Sequence, residues 1–205
     1  ARGQMLLLGD NTCKKMDNYL NTEKTYQFEI CLGFMTDSDD PMGIIQKQDN
    51  NFNEKDILEK IIEYIKNMDT NINQEFHKFS SIRIDGKPSW LHTKEKTKFK
   101  KPKHDVSIKN KKIIGKTCRE LKFFSNNIIN TINMINRKHK FRQDEIIKQW
   151  KNIFDSASKT KKIYSIKYEF TVTSGFYVRQ FIRDMSEYIN FPLMVYDINR
   201  VKINI

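Results

Sequence analysis

Apolar and polar residues alternate along two stretches of the chain, residues 26–32 and 164–172. A period of two is typical of a β-strand, and it predicts that the first stretch has one buried face. Residues 106–114 and 195–205 are also predicted to be strands. Gly33 ends the first strand, turn formers fill 37–43, and Ile44 and Ile45 could begin the return strand of a hairpin.

Other segments repeat their apolar residues at helical spacing. Asn53 is a good N-cap for a helix whose apolar stripe is Leu58, Ile61, Ile62 and Ile65. The remaining helical patterns cover residues 11–20, 121–135, 146–154 and 178–189, while the signal between 69 and 87 is weak. Strands separated by helices of uneven length predict an α+β domain around a largely antiparallel sheet.

The charge balance favours a polyanionic partner. Lysine and arginine number 37 against 25 aspartates and glutamates, a formal net charge of +12 over 205 residues. Nucleic acid leads the polyanions that such a surplus attracts. Lysine, asparagine and isoleucine are abundant throughout, however, so a general compositional drift explains part of the charge without RNA. The length predicts one domain rather than two.

The cysteines argue against a disulfide framework and against a structural zinc. Cys13, Cys31 and Cys118 lie far apart, without a CxxC pair or a Cys/His cluster. This usage indicates an intracellular, reducing setting and no metal site. No apolar run approaches a membrane span, and no signal-peptide pattern opens the chain. The first residue is Ala1, so the chain is expected to be a fragment.

Three segments in order resemble the TruB family of tRNA pseudouridine synthases. Residues 24–43 contain K-T-Y, then L-G, then T-D-S-D-D and a glycine, where the family has K-x-Y, L-G and T-x-T/S-x-D. Residues 87–94, K-P-S-W-L-H-T-K, resemble P-P-x-Y-S-A-x-K. Residues 173–179, T-S-G-F-Y-V-R, resemble S-K-G-T-Y-I-R. The chain departs from the pattern at His92, where the family has alanine, and at Phe176, where it has threonine.

The resemblance implies a pseudouridine-synthase-like α+β fold, with a largely antiparallel mixed sheet flanked by helices. Residues 1–205 would form a single catalytic domain, incomplete at its N-terminus, with a two-helix insertion near 118–160 and no PUA domain. Residues 1–3 match the tail of the family motif G-T-L-D-P-x-A-x-G. The nucleophilic aspartate is therefore expected three positions before Ala1, and no residue of this chain is assigned that role.

The resemblance also implies site residues. Tyr26 would stack on the flipped uridine and act as general base at C5, and Arg179 would pair with the catalytic carboxylate. From local pattern alone, Tyr26 could be a core residue and Arg179 an exposed arginine in the first turn of a helix. Further substrate-binding residues implied by the resemblance are Lys24, Trp90, Lys94, Tyr177 and Ile198. Trp90 is expected to pack in the pocket wall rather than to stack on the base, whereas Tyr177 and Ile198 could equally be core residues, and Lys94 a solvated lysine.

Two basic strips are candidate contacts to the RNA backbone. The first contains Lys98, Lys100, Lys101 and Lys103 with His104, and the second contains Arg137, Lys138, Lys140 and Arg142. The resemblance predicts a monomeric enzyme, without a cofactor, that isomerises a T-loop uridine of tRNA. The alternative is a catalytically inactive homologue that binds RNA or belongs to a ribonucleoprotein. A basic helical module unrelated to the family would require all three matches to be accidental.

Overall fold

A six-stranded sheet forms the centre of the computed structural model, which describes residues 1–95, 97–137, 142–158 and 160–204. The strands are β1 Arg2–Gly3, β2 Glu23–Leu32, β3 Phe34–Thr36, β4 Ile45–Gln48, β5 Asn71–Glu75, β6 Arg83–Ile84, β7 Lys87–Pro88, β8 Lys103–Glu120, β9 Lys162–Val172 and β10 Leu193–Asn204. The α-helices are α1 Asp17–Leu20, α2 Glu54–Asn67, α3 Ser89–Lys94, α4 Leu121–Asn133, α5 Gln143–Ser156 and α6 Val178–Tyr188. A 3₁₀ helix, Asp10–Lys15, precedes α1.

The sheet is mixed and largely antiparallel, which confirms the predicted α+β class. Its strand order is β1-β10-β2-β9-β8-β5, and β1 alone among these described strands runs parallel to its neighbour. β8 is longer than the predicted 106–114, because β9 pairs with it as far as Glu120 opposite Lys162. The predicted insertion at 118–160 therefore begins inside a strand, and its helices are α4 and α5.

One face of the sheet packs against α2 and α6. Asn53 caps α2 as predicted, because its side chain accepts a hydrogen bond from the backbone N–H of Lys55. The buried stripe of α2 is centred one position earlier than predicted, on Ile57, Ile61 and Ile65. Further members of this core come from alternate positions of the strands and from α6: Phe28, Ile30, Leu32, Ile166, Tyr168, Phe170, Val172, Phe181, Ile182 and Met185.

The opposite face is covered by the inserted helices α4 and α5. The core on this side includes Cys31, Phe34, Phe124, Ile128, Ile132, Ile146, Trp150, Ile163 and Met194. The prediction that residues 26–32 have only one buried face is therefore wrong at Glu29 and Cys31, which are both buried. The alternation in β2 predicts which face is apolar. It cannot predict burial of the other face, because the helices that cover that face lie about a hundred residues away in the sequence.

The buried Glu29 carboxylate is neutralised from the neighbouring strands. Arg119 of β8 donates to both of its oxygens, and Thr117 donates at 3.0 Å. Burial alone would raise the pKa of Glu29, but hydrogen bonds from Arg119, Ser165 and Thr117 hold that pKa below its ordinary value. The carboxylate thus stays ionised and paired beneath the inserted helices.

Two local predictions need correction. The predicted helix at residues 11–20 is instead a 3₁₀ helix followed by a single α-helical turn, and its Met16 and Leu20 are exposed. In the weak 69–87 segment, Asn71–Glu75 forms strand β5, which has little apolar pattern and is held by antiparallel pairing with β8. In the described residues, every helix is too short or too polar to cross a membrane.

Replacing Trp150 tests whether the insertion is part of the main fold. The Trp150 ring is fully buried and lies 5.2 Å from the Phe34 ring and 5.9 Å from the Phe124 ring, measured between centroids. Trp150→Ala should lower the free energy of unfolding by about 3–5 kcal/mol, because it opens a large cavity. Urea denaturation measures this loss. Lys148→Ala, at an exposed position of α5, is the control and should stay within about 0.5 kcal/mol of the wild type. Equal stability of the two variants would contradict an integral insertion.

Candidate functional site

A cleft of about 630 Å³ opens where β2, β10 and the start of α6 meet. It brings together Lys24, Tyr26, Tyr177, Arg179 and Ile198, all predicted as site residues. Ala1, Arg2 and Gly3 line the same cleft, because β1 pairs with the edge of β10. Residues from the two ends of the sequence, 1–26 and 175–200, therefore form one concave surface.

Tyr26 and Ile198 lie at the boundary between the hydrophobic core and the cleft. Both are half-buried, and both pack against the core beneath α6. Tyr26 is paired with Phe170 of β9 on one side and with Arg200 of β10 on the other. The Tyr26 hydroxyl makes no hydrogen bond to any residue in the described part of the chain. Its ring is thus held from beneath while one side of it borders the cleft.

The turn that leads from β9 into α6 is held from two sides. Gly175 has a φ of +91°, and a Cβ there would lie 2.9 Å from Nε2 of His104, so glycine suits the position for both reasons. His104 Nε2 lies 2.9 Å from the Gly175 carbonyl oxygen. The buried Gln74 amide accepts from the Tyr177 N–H at 2.8 Å and donates to the Tyr177 carbonyl at 3.1 Å. Gln74 of β5 therefore fixes the backbone of Tyr177, and with it the start of α6 that carries Arg179.

The Arg179 guanidinium is held by acceptors from two separate segments. Its Nη1 donates to Asp40 Oδ2 at 3.0 Å and to the Ser38 carbonyl at 3.4 Å, and its Nη2 donates to the Phe79 carbonyl at 3.2 Å. The side chain remains about one quarter exposed, at 25%. Arg179 thus brings a fixed, paired positive charge to the wall of the cleft. Asp40 belongs to the motif at residues 24–43, and its pairing with Arg179 could not be predicted from that motif.

A buried ionic cluster lies beside Arg179. The Asp39 carboxylate accepts from Arg183 Nη2 at 2.6 Å and lies 2.8 Å from His77 Nε2. The side chains of Asp39 and His77 are fully buried, and the backbone N–H of Phe79 donates to His77 Nδ1 at 3.2 Å. Because Nδ1 accepts, His77 is neutral with its proton on Nε2. The cluster ties the loop after β3 to α6 and to residues 77–79.

Trp90 and Lys94 do not line the cleft. Both belong to α3, where Trp90 is 44% exposed and Lys94 is exposed as well. The segment that reaches the site instead is 76–80: the Phe76 ring lies 5.6 Å from the Tyr177 ring, and Phe79 supplies the carbonyl that Arg179 contacts. A substrate-binding role for Trp90 and Lys94 remains a prediction from the resemblance.

The first basic strip is partly neutralised by an acid of β5. Lys98 and Lys100 are exposed, whereas Lys101 pairs with Glu75 and Lys103 lies 3.9 Å from the same carboxylate. His104 stacks on Phe76 with ring centroids 4.0 Å apart. Lys98 and Lys100 are therefore the members of this strip best placed to meet a phosphate backbone.

The second basic strip is less available than its sequence indicates. Arg137 pairs with Asp144 at 2.7 Å, and Arg142 pairs with Asp37 at 2.5 Å. Lys138 and Lys140 lie outside the described residues. Among the described residues, no cluster of three or more histidine, cysteine, aspartate or glutamate side chains could hold a metal ion.

The protonation of His77 has a measurable consequence. Burial, together with the charges of Arg179 and Arg183, lowers the pKa of His77 below 6.5 despite the hydrogen bond to Asp39. As the pH falls through 6.5, the unfolded chain takes up a proton that the folded chain does not. Stability should therefore fall with pH in this window, by about 1.4 kcal/mol for each unit between the two pKa values.

NMR of the imidazole nitrogens across this pH range measures the His77 titration directly. We expect the Nε2–H tautomer to persist below pH 6.5. The acid-induced loss of stability should shrink in His77→Gln, which has no imidazole to protonate. Titration of His77 above 6.5 in the folded protein would contradict the assigned tautomer.

The comparisons with known proteins place the chain in a family. The profile described as "TruB family pseudouridylate synthase (N terminal domain)" matches residues 1–127, more than half of the chain. The chain is also similar to a protein named tRNA pseudouridine synthase B from Mycoplasma mycoides subsp. mycoides SC, with 32% identity over 114 residues. That match covers 55% of this chain and 36% of the relative, so the chain spans only about a third of the relative's length. On the strength of the profile match, this chain belongs to the TruB family of pseudouridine synthases.

Proposed function

We propose that this chain is the catalytic domain of a tRNA pseudouridine synthase that isomerises a uridine of the T-loop. The observation that carries the proposal is the meeting of Tyr26 and Arg179 in one cleft, in a chain of the TruB family. The name of the Mycoplasma relative supports tRNA as the substrate class.

The reaction breaks the bond between N1 of the uracil and C1′ of the ribose and forms a bond from C5 to C1′. C5 loses a proton and N1 gains one, so no oxidant or reductant is needed. The base must first leave its stack, which costs a few kcal/mol. The half-buried Tyr26 ring, which borders the cleft with Ile198, offers a surface on which the extruded base can stack.

Tyr26 also carries the group proposed to remove the C5 proton. Its hydroxyl has no hydrogen-bond partner within the described residues and is therefore available to a bound base. A general base must come within hydrogen-bond reach of the proton that it abstracts, and a base stacked in this cleft would lie beside Tyr26. Lys24 braces the same edge, because its ammonium donates to the Thr22 carbonyl at 2.8 Å and to the Leu20 carbonyl at 3.1 Å.

Arg179 is proposed to orient the catalytic carboxylate. The TruB resemblance expects that aspartate three positions before Ala1, and Ala1 shares the cleft with Arg179. Three residues span at most about 10 Å, so an aspartate at that position would lie close to the cleft that Ala1 and Arg179 share. The two segments that hold Arg179 keep its charge in place, so little reorganisation is needed during the reaction.

The second candidate is an RNA-binding homologue without synthase activity. It is favoured by the placement of the acids nearest to Arg179: Asp40 is already paired with Arg179, and Asp39 is fully buried. Neither is free to attack a ribose. The distinction therefore depends on an aspartate in the full-length gene product.

Tritium release from a tRNA transcript labelled at C5 of uridine tests the proposal with the full-length gene product. The wild type should release tritium from the T-loop uridine. Tyr26→Phe keeps the stacking ring but removes the hydroxyl, so it should lose about 10²–10⁴-fold in rate while still binding the transcript. Arg179→Ala should lose at least about 10²-fold, since the carboxylate is no longer oriented.

The matched controls are Tyr188→Phe, at an exposed tyrosine that ends α6, and Arg83→Ala, at an exposed arginine. Both should retain wild-type rates. Transcript binding by a folded wild type that releases no tritium would favour the RNA-binding homologue. Full activity of Tyr26→Phe would exclude Tyr26 as the general base.

Binding to RNA should depend on salt through Lys98 and Lys100. Each phosphate contact that is lost should lower the slope of log K against log salt by about one unit. We therefore expect a shallower slope for Lys98→Ala/Lys100→Ala in filter binding at several KCl concentrations. Lys55→Ala/Lys60→Ala, at exposed positions of α2, should keep the wild-type slope. The same slope for both double variants would remove the first strip from the RNA interface.

A further inference from the structure

We propose that the inserted helices position Arg179 by bracing the loop between β3 and β4, residues 37–44, with Arg142 and Gln149 as the positioning residues. The effect on catalysis rests on the proposed function, whereas the brace itself does not. Neither residue touches Arg179, so each would act through the residues that hold it.

The 37–44 loop determines where Asp40 lies. Its two ends are joined, because the Asp37 N–H donates to the Ile44 carbonyl at 2.9 Å and the Ile44 N–H donates to Asp37 Oδ1 at 2.8 Å. Within the loop, Asp40 Oδ1 accepts from the Met42 N–H at 3.0 Å. The other oxygen of Asp40 accepts from Arg179. A shift of this loop would therefore move the carboxylate that Arg179 is bound to.

Arg142, the residue directly before α5, contacts the start of this loop. Its Nη1 donates to Asp37 Oδ2 at 2.5 Å and its Nη2 to Asp37 Oδ1 at 3.2 Å, so both arms of the guanidinium are engaged. The Asp37 side chain is 18% exposed and the Arg142 side chain 40%, so the pair lies at the surface, and its two parallel bonds fix its geometry. The start of the loop is thus held by the inserted helices.

The Arg142 guanidinium also lies against the second segment that holds Arg179. Its central carbon is 6.0 Å from the centroid of the Phe79 ring, within the range of a cation–π contact. The Phe79 carbonyl accepts from Arg179. Arg142 therefore contacts both the loop that presents Asp40 and the residue that presents the carbonyl.

Gln149 holds the other end of the loop. Its side-chain Oε1 accepts from the backbone N–H of Ile45, the first residue of β4, at 2.8 Å. Gln149 lies seven positions after Arg142 in the sequence, and the two side chains reach the two ends of the same loop. Arg142 therefore holds the loop at Asp37, and Gln149 holds Ile45, the residue that follows the loop.

The brace is itself anchored in the core. Trp150 follows Gln149 directly, is fully buried, and packs on Phe34 of β3. Ile146, one turn earlier, is fully buried in the same cluster. Because α5 is packed against the strand that leads into the loop, it provides a rigid support. Small displacements matter here, since misplacing a catalytic group by about 1 Å can cost on the order of a hundredfold in rate.

The experiment compares Arg142→Met and Gln149→Met in the full-length protein. Both substitutions keep most of the side-chain length and remove the hydrogen bonds. We expect kcat for tritium release to fall by about tenfold to a hundredfold, with KM for the tRNA within about twofold of the wild type. Gln149→Glu keeps the oxygen acceptor for Ile45 and should recover most of the rate. Lys148→Met and Asn152→Met, at exposed positions of α5, are the controls and should behave as the wild type.

Hydrogen exchange of the backbone amides supplies a readout that needs no activity. The amides of Ile44 and Ile45 should exchange at least about tenfold faster in Arg142→Met and Gln149→Met than in the wild type and the controls. Unchanged exchange of these amides would overturn the brace. A rise in KM with unchanged kcat would overturn it as well, since the insertion would then serve as an RNA contact. If the wild type releases no tritium, the proposed function fails, and the exchange rates alone decide whether the insertion braces the loop.

Discussion

The arrangement of the site depends on how the Arg179 guanidinium is satisfied. A charged group that is three-quarters buried is costly unless its donors are paired, and Arg179 is paired by the 37–44 loop and by Phe79. These acceptors are separated from it by about a hundred residues or more of sequence. Each acceptor must therefore be positioned next to Arg179 by a different part of the fold. Gln74 fixes the turn from which Arg179 emerges, and the Asp39, His77 and Arg183 cluster holds the loop against α6.

The inserted helices α4 and α5 contribute both to the stability of the fold and to the position of the acceptors around Arg179. They cover a sheet face that would otherwise expose Cys31, Met194 and the Glu29–Arg119 pair. The same packing places α5 beside β3, where Arg142 and Gln149 reach the ends of the loop. One interface therefore buries apolar surface and supports the geometry around Asp40. A substitution that loosens this interface is expected to affect both the free energy of unfolding and the active-site loop.

Periodicity alone predicted β2, β9 and α6, because each has an apolar face that packs on the main core. It did not predict β5, whose residues are mostly polar and whose position is set by hydrogen bonds to β8. The resemblance supplied Tyr26 and Arg179, and the fold brings both into the cleft. It did not supply Gln74 or His77, since a buried polar residue has a partner only in three dimensions. Trp90 and Lys94 were carried over from the second motif, and neither lines the cleft.

We propose that the cleft between β2, β10 and α6 receives the target uridine. This proposal is tested most directly by a crystal structure of the full-length protein bound to a T-loop stem-loop that carries 5-fluorouridine at the target position. We expect the base to be flipped out and to lie within about 4 Å of the Tyr26 ring, with Ile198 beside it and Arg179 still held by Asp40. A target base that stays in its loop, or that binds elsewhere on the protein, would show that this cleft is not the uridine site.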